Sequence, residues 1–180
     1  MRRTFAFLRA INVGGHTVTM GRLKELFEAL GLTGVETFLA SGNIIFEGSD
    51  EREGGLQGRI EDHLRHALGY EVTTFLRTQR ELAALVKGCP FDATEVAAAQ
   101  ALNVALLHAP LGKAAEAKLH TLGTAVDTFR VTGREVWWLC HVKQSDSKFS
   151  NAVFEKAIGV KATIRGFSTL QRLAAKHQKG

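Results

Sequence analysis

The apolar residues of this chain change spacing in a fixed order, and that order occurs twice. Thr4–Arg9 is a short Phe-rich run with the length and composition of a strand. After a loop containing Gly14-Gly15, Thr19 stands as an N-cap before Leu23, Leu26, Phe27 and Leu30 at helical spacing, and Gly31 stops the helix. Val35–Leu39 and Ile44–Phe46 read as strands around Ala40-Ser41-Gly42-Asn43, which has hairpin chemistry. A polar loop, Gly48–Gly55, leads to a helix through Leu56, Ile60, Leu64, Ala67 and Leu68. Gly69 ends that helix and Glu71–Leu76 is a fourth strand. The order is βαββαβ.

Helices at Thr78–Gly88 and Thr94–Gln100 follow, and then the order recurs. Leu102–Leu107 is a strand and Lys113–Leu122 a helix. Val126–Val131 and Glu135–His141 are strands joined around Thr132-Gly133-Arg134. Ser147–Ile158 is a helix capped by Asp146 or Ser147, Val160–Arg165 a strand and Ser168–Lys176 a last helix. The repetition is of element order, with no residue-level repeat visible. It predicts an α+β fold of two ferredoxin-like βαββαβ halves in tandem, each an antiparallel sheet with helices packed on one face. The divisions are residues 1–77, a helical connector 78–100, and residues 101–180 with the C-terminal helix. Ile44-Ile45-Phe46 and Val136-Trp137-Trp138-Leu139 are apolar on both faces, since neighbours in a strand point to opposite sides. The face without helices therefore needs cover from the other half, the connector or a partner chain. One Trp belongs in the helix-packed core; the other covers the second face or stacks a base.

At 180 residues, 45% apolar and 23% charged, the chain has the proportions of a folded globular protein and not of a disordered one. No apolar run is long enough to span a membrane, and Arg9 closes the N-terminal apolar stretch too early for a signal peptide. Cys89 and Cys140 lie far apart and read as buried thiols of a cytoplasmic protein. His63 and His66 share a helix side without a third ligand nearby, so no metal is expected. No P-loop, dinucleotide fingerprint, GxSxG or HExxH is present, and no cofactor is expected.

The split-βαβ plan lays the end of strand one beside the start of strand three. The loop Ile11–Gly15 then adjoins the turn Ser41-Gly42-Asn43, with the start of the first helix at the same edge. Arg9, Asn12, His16, Ser41 and Asn43 supply polar side chains, Gly14 and Gly15 allow close backbone approach, and the helix N-terminus favours an anion. The alternative is that the glycines serve turn geometry and the asparagines bond local backbone. A second polar cluster, Lys143, Ser145, Ser147 and Lys148, precedes a helix and offers either a phosphate site or a well-capped loop.

Leu8-Arg9-Ala10-Ile11-Asn12-Val13-Gly14-Gly15, Met20, Leu23 and Ser41-Gly42-Asn43-Ile44-Ile45-Phe46 resemble the RGINVGG…SGNVVF signature of the domain-of-unknown-function family 1697, which is mostly bacterial. Ser147-Lys148-Phe149, Glu155-Lys156 and Thr163–Thr169 are similar to its SK…EK…TxRNWxT segment. The resemblance implies a two-part α+β fold and no known activity. Its motif positions fall on Arg9, Asn12, Gly14, Gly15, Ser41, Gly42, Asn43, Lys148, Thr163 and Arg165. Ala10 stands where the family has Gly, which predicts that residue 10 needs no positive φ. Gly166-Phe167 stands where it has Asn-Trp.

Three classes of function remain open. The first is binding of a small anionic ligand, phosphorylated or carboxylated, at the strand-one/strand-three edge by Arg9, Asn12, Gly14, Gly15, Ser41 and Asn43, with Lys148 and Arg165 as further candidates. Whether a reaction follows is undecided, because no general base or nucleophile stands out. The second is nucleic-acid binding, allowed by a net charge of +5 and the basic tail Arg172, Lys176 and Lys179. The third is an interaction protein that forms a homodimer through the apolar second face.

Overall fold

The computed structural model describes residues 3–12, 14–47 and 53–177. Val13, Lys179 and most of the loop expected at Gly48–Gly55 lie outside the described residues. The chain divides into two compact units, Met1–Ala83 and Ala84–Gly180.

The first unit runs β1 (Arg3–Leu8), α1 (Met20–Glu28), β2 (Thr33–Phe38), β3 (Asn43–Glu47), α2 (Glu53–Leu68) and β4 (Thr74–Thr78), and α3 (Gln79–Lys87) crosses the division. Its antiparallel sheet has the order β2-β3-β1-β4, the ferredoxin-like arrangement expected. The register sets Ala6 opposite Ile44 and Leu76. These three, with Leu8, Val35 and Phe46, form the sheet face that packs on Leu23, Leu26 and Phe27 of α1 and Leu56, Ile60 and Leu64 of α2. Thr19 caps α1 as expected, its hydroxyl accepting from Arg22 N at 3.1 Å. Strand β4 starts three residues later than the periodicity suggests. Glu61 of α2 takes Thr74 N at 2.7 Å, and the Thr73 carbonyl pairs with Arg9 N at 2.8 Å.

The second unit continues with α4 (Ala93–Ala98), β5 (Ala101–Leu106), α5 (Lys113–His120), β6 (Asp127–Thr132), β7 (Glu135–Cys140), a 3-10 turn (Gln144–Asp146), α6 (Asn151–Ile158), β8 (Thr163–Gly166) and α7 (Phe167–Lys176). The sheet order β6-β7-β5-β8 repeats the first. Ala105, Leu107, Phe129, Val136, Trp138 and Ala162 pack with Leu119 of α5 and with Phe154 and Ile158 of α6.

Trp138 lies in this core and Trp137 points to the opposite face, as strand alternation requires. That face is not bare. The Phe167 ring of α7 meets Trp137 edge-on at 5.2 Å. Arg130 of β6 forks onto Glu95 of α4 at 2.7 and 3.0 Å, donates to the Pro90 carbonyl and lies 4.2 Å over the Phe91 ring. Part of the cover thus comes from the connector. The Glu95 carboxylate also closes a capping box with Asp92. Arg130, through its hydrogen bond, holds that carboxyl below the usual glutamate range.

Helix α6 corrects the expected cap. It starts at Asn151 with Ser150 as N-cap, and neither Asp146 nor Ser147 serves. Ser147 instead donates to both oxygens of buried Asp127 at 3.0 Å. Cys140 is buried, but Cys89 is only half-buried, because it sits in the surface turn after α3.

The register also reveals a correspondence that scanning the sequence misses. Arg77 pairs with Phe5, and Arg165 with Val104. Both arginines are buried, and each donates to the carbonyl just before it, Leu76 or Ile164. Each is followed at five and eight residues by buried leucines, Leu82 and Leu85 or Leu170 and Leu173. The expectation of no residue-level repeat fails here. The shared pattern is short, and the offset between halves changes with loop length.

Candidate functional site

The edge of the first unit where β1 ends and β3 begins carries most of the candidate residues. Leu8 N donates to Gly42 O at 2.8 Å, which closes the β1–β3 ladder against the hairpin turn. Gly42 has φ +72°, and a Cβ there would stand 2.8 Å from Ile11 Cγ2, so the turn and the β1–α1 loop pack without space for a side chain. Asn12 ties the two segments. Its amide nitrogen donates to Ala40 O at 3.3 Å and its oxygen accepts from Val18 N at 2.7 Å. Asn43 is buried and donates to Phe38 O and to Ser41 Oγ, both at 2.8 Å. Asn43 therefore bonds local backbone, as one of the two sequence readings has it, whereas Asn12 also bridges from its own loop to the distant β2–β3 turn.

The rim of this edge is open. Gly14 and Gly15 are exposed at φ +65° and +85°, with open space where a Cβ would point. His16 stacks on Tyr70 at 3.9 Å, and the Tyr70 hydroxyl donates to Ile11 O at 3.1 Å. Burial raises the Tyr70 phenol above its ordinary value. Arg9 is half-buried just past β1, and Ser41 is exposed.

The expectation for residue 10 is overturned: Ala10 has φ +56°. Leu39, across the edge, has φ +60° and is 44% exposed. Among the described residues these are the two non-glycines with positive φ. Nothing in an alanine or a leucine marks such a backbone. The familiar Gly at position 10 was the available signal, and it argues for a left-handed residue here, not against one. The equivalent loop of the second unit, residues 107–112, is shorter than residues 9–19 and contains no positive φ.

Lys148 and Arg165 belong to the second unit and have different surroundings. Lys148 is exposed before α6. Arg165 is buried on β8, donating to Thr163 Oγ1 at 2.7 Å and Ile164 O at 3.0 Å, and burial lowers its pKa to about 10. The cluster around Lys143–Lys148 serves the core through Ser147. Asp127 accepts from Ser147, from Trp138 Nε1 at 2.7 Å and from Thr124 Oγ1 at 3.1 Å. Sequence reasoning missed this buried carboxylate; a lone Asp at a strand start carries no signal of its partners. Among the described residues no group of three His, Cys, Asp or Glu side chains is arranged to hold a metal ion. Nor is any helix among them long and apolar enough to cross a membrane.

Two ferredoxin-like units, with an elaborated loop at one sheet edge of the first, define the class as a tandem α+β protein. The chain belongs to the family described as "Protein of unknown function (DUF1697)", whose model matches residues 1–137. Among solved structures it is similar to the conserved bacterial protein SP0830 from Streptococcus pneumoniae. The identity is 22%, 99% of each chain is covered and the TM-score is 0.79. That likeness extends the fold to both units. No curated protein matches the sequence.

Proposed function

We propose that the first unit binds a small anionic ligand, phosphorylated or carboxylated, at the edge formed by the β1–α1 loop and the β2–β3 turn. The observation that carries this reading is the concentration of left-handed backbone at one edge. Ala10, Gly14, Gly15, Leu39 and Gly42 all have positive φ there, and Ala10 and Leu39 hold it against their own preference. Such strain persists where surrounding contacts impose it, and Asn12 and Asn43 supply those contacts. Gly14 and Gly15 offer exposed backbone, and Arg9 and the start of α1 add positive potential. Ser41 Oγ accepts from Asn43 Nδ2, and we read the edge as a binding site, with no nucleophilic step assigned.

Lys148 and Arg165 are not part of the site so proposed. The free thiols fit a reducing cytoplasm, where we place the protein. The test is a thermal-unfolding panel of nucleotides, sugar phosphates and carboxylates, with short DNA and RNA, at low and high salt. A ligand at 100 times its Kd stabilises by about 2.7 kcal/mol. A shift lost in both Gly14→Val and Arg9→Ala supports the edge. A shift from oligonucleotides alone, erased by salt, replaces it with nucleic-acid binding, for which neither buried Trp offers a stacking surface. Silence across the panel, with a concentration-dependent dimer, replaces it with an interaction role.

A further inference from the structure

Charge divides unevenly between the two units. Residues 1–83 hold 10 Lys and Arg against 11 Asp and Glu, whereas residues 84–180 hold 13 against 7, so the second unit accounts for all of the net charge of +5. Nine of the ten lysines belong to it, and the eight that fall among the described residues are all exposed. Several of its acids are engaged within the fold. Asp127 is buried, Glu95 is held in the Arg130 fork, and Glu155 accepts from Ala162 N at 2.8 Å.

Five of these lysines share the helix layer. Lys113 and Lys118 lie on α5, Lys156 on α6, and Lys143 and Lys148 on the segment that leads into α6. Among the described residues no carboxylate pairs with any of the five. Helices α5 and α6 pack together over one sheet face, and each joins two parallel strands, so they run antiparallel. Lys118 and Lys148 therefore stand at one end of the layer and Lys113 and Lys156 toward the other, along the ~12 Å length of an eight-residue helix. Glu116 and Glu155, the acids of the two helices, are half-buried, and Asp146 is the exposed acid of the segment before α6. The lysines are spread along the layer and do not converge on one point.

Charge distributed in this way suits a polyanion. Over ~12 Å of its axis a nucleic-acid duplex presents about seven phosphate charges. All seven aromatic residues of the unit are buried, so it offers no ring on which the bases of a single strand would stack and no aromatic anchor for a protein partner. Neither helix carries an arginine, the residue that forks onto a carboxylate or a guanine. Lysine meets a phosphate as a point charge, and a phosphate contact reads no base. We propose that the α5–α6 layer docks duplex nucleic acid by its phosphate backbone, without reading sequence. The proposal is independent of the edge site in the first unit, none of whose residues it uses.

The test uses the full chain and fluorescence anisotropy with two short DNA duplexes of unrelated sequence. Both should bind with the same affinity. With five lysines on phosphates, the slope of log affinity against log salt should be about −4.5, a loss of roughly 500-fold between about 50 and 200 mM salt. Lys118→Gln/Lys148→Gln/Lys156→Gln removes three exposed cations and should keep the parent circular dichroism. It should bring the slope to about −2 and weaken binding about ten-fold or more at the lower salt. Lys24→Gln/Arg65→Gln/Lys87→Gln removes the same charge from exposed positions outside the layer and should keep the parent slope. No binding at the lower salt, unequal affinity for the two duplexes, or an equal loss in both variants would each overturn the proposal. So would tighter binding of a single strand, or displacement of the duplex by polyglutamate or phosphatidylserine vesicles at equal charge.

Discussion

Gly42 and Gly14 have nearly the same backbone angle and opposite surroundings, so replacing each with alanine separates backbone strain from packing. An L-residue in the left-handed region costs ~1–2 kcal/mol. Replacing Gly also stiffens the unfolded chain and returns ~0.4–1 kcal/mol. Gly14 has φ +65° and open space beyond it, so Gly14→Ala should lose only the difference, ~0.5–1 kcal/mol. Gly42 has φ +72°, and its Cβ would fall 2.8 Å from Ile11 Cγ2 and 3.1 Å from Leu8 Cβ. Both neighbours are buried, at 3% and 1% exposure, and cannot swing into solvent. Overpacking of this kind adds ~1–3 kcal/mol, so Gly42→Ala should lose ~2–4 kcal/mol in all. Urea unfolding followed by far-UV circular dichroism measures both. A gap of ~2 kcal/mol moves the midpoint by roughly 1 M at an ordinary m value. Equal midpoints for the two variants would refute the claim that the turn and the β1–α1 loop are in contact through Gly42.

Ala10→Gly should stabilise the first unit by ~0.5–1 kcal/mol, since relief of φ +56° outweighs the entropy of a glycine; a lower urea midpoint would contradict it. Asp127→Ala leaves Trp138 Nε1, Ser147 and Thr124 without their acceptor, and should cost ~3 kcal/mol with loss of near-ultraviolet Trp ellipticity. Glu95 titrates below its ordinary value in the folded chain, chiefly through its hydrogen bond with Arg130. It therefore adds stability above its unfolded pKa, which is lost as pH falls through the depressed folded value. Glu95→Gln should flatten the acid side of the stability–pH curve, and an unchanged slope there would count against the fork.

The two units show how one plan is specialised. Both close β1 or β5 against the central hairpin with the same rung, Leu8 N to Gly42 O or Leu107 N to Arg134 O. Only the first extends the next loop and loads it with left-handed residues. The second carries the Arg130 fork onto Glu95. A shared scaffold with different loops is how binding sites are added to a fold without altering its core.

Element order was legible in the sequence because it depends on local spacing. Leu23, Leu26 and Phe27 repeat at helical intervals, Ile44 to Phe46 form a strand between turn residues, and Thr19 and Gly31 punctuate α1. From that order the ferredoxin-like plan followed twice. The meeting of the β1–α1 loop with the β2–β3 turn followed too, since strand order alone brings them together. The roles of the polar residues did not follow. Asn12 reaches Ala40 across 28 positions, Ser147 reaches Asp127 across 20, and Arg130 reaches Glu95 across 35. A hydrogen bond is decided by which groups meet at about 3 Å, and residue type names the donor without its partner. Ala10 is the sharpest case. Its side chain carries no mark of a left-handed backbone, and only the closed sheet edge, which fixes where the chain must turn, decides that it adopts one.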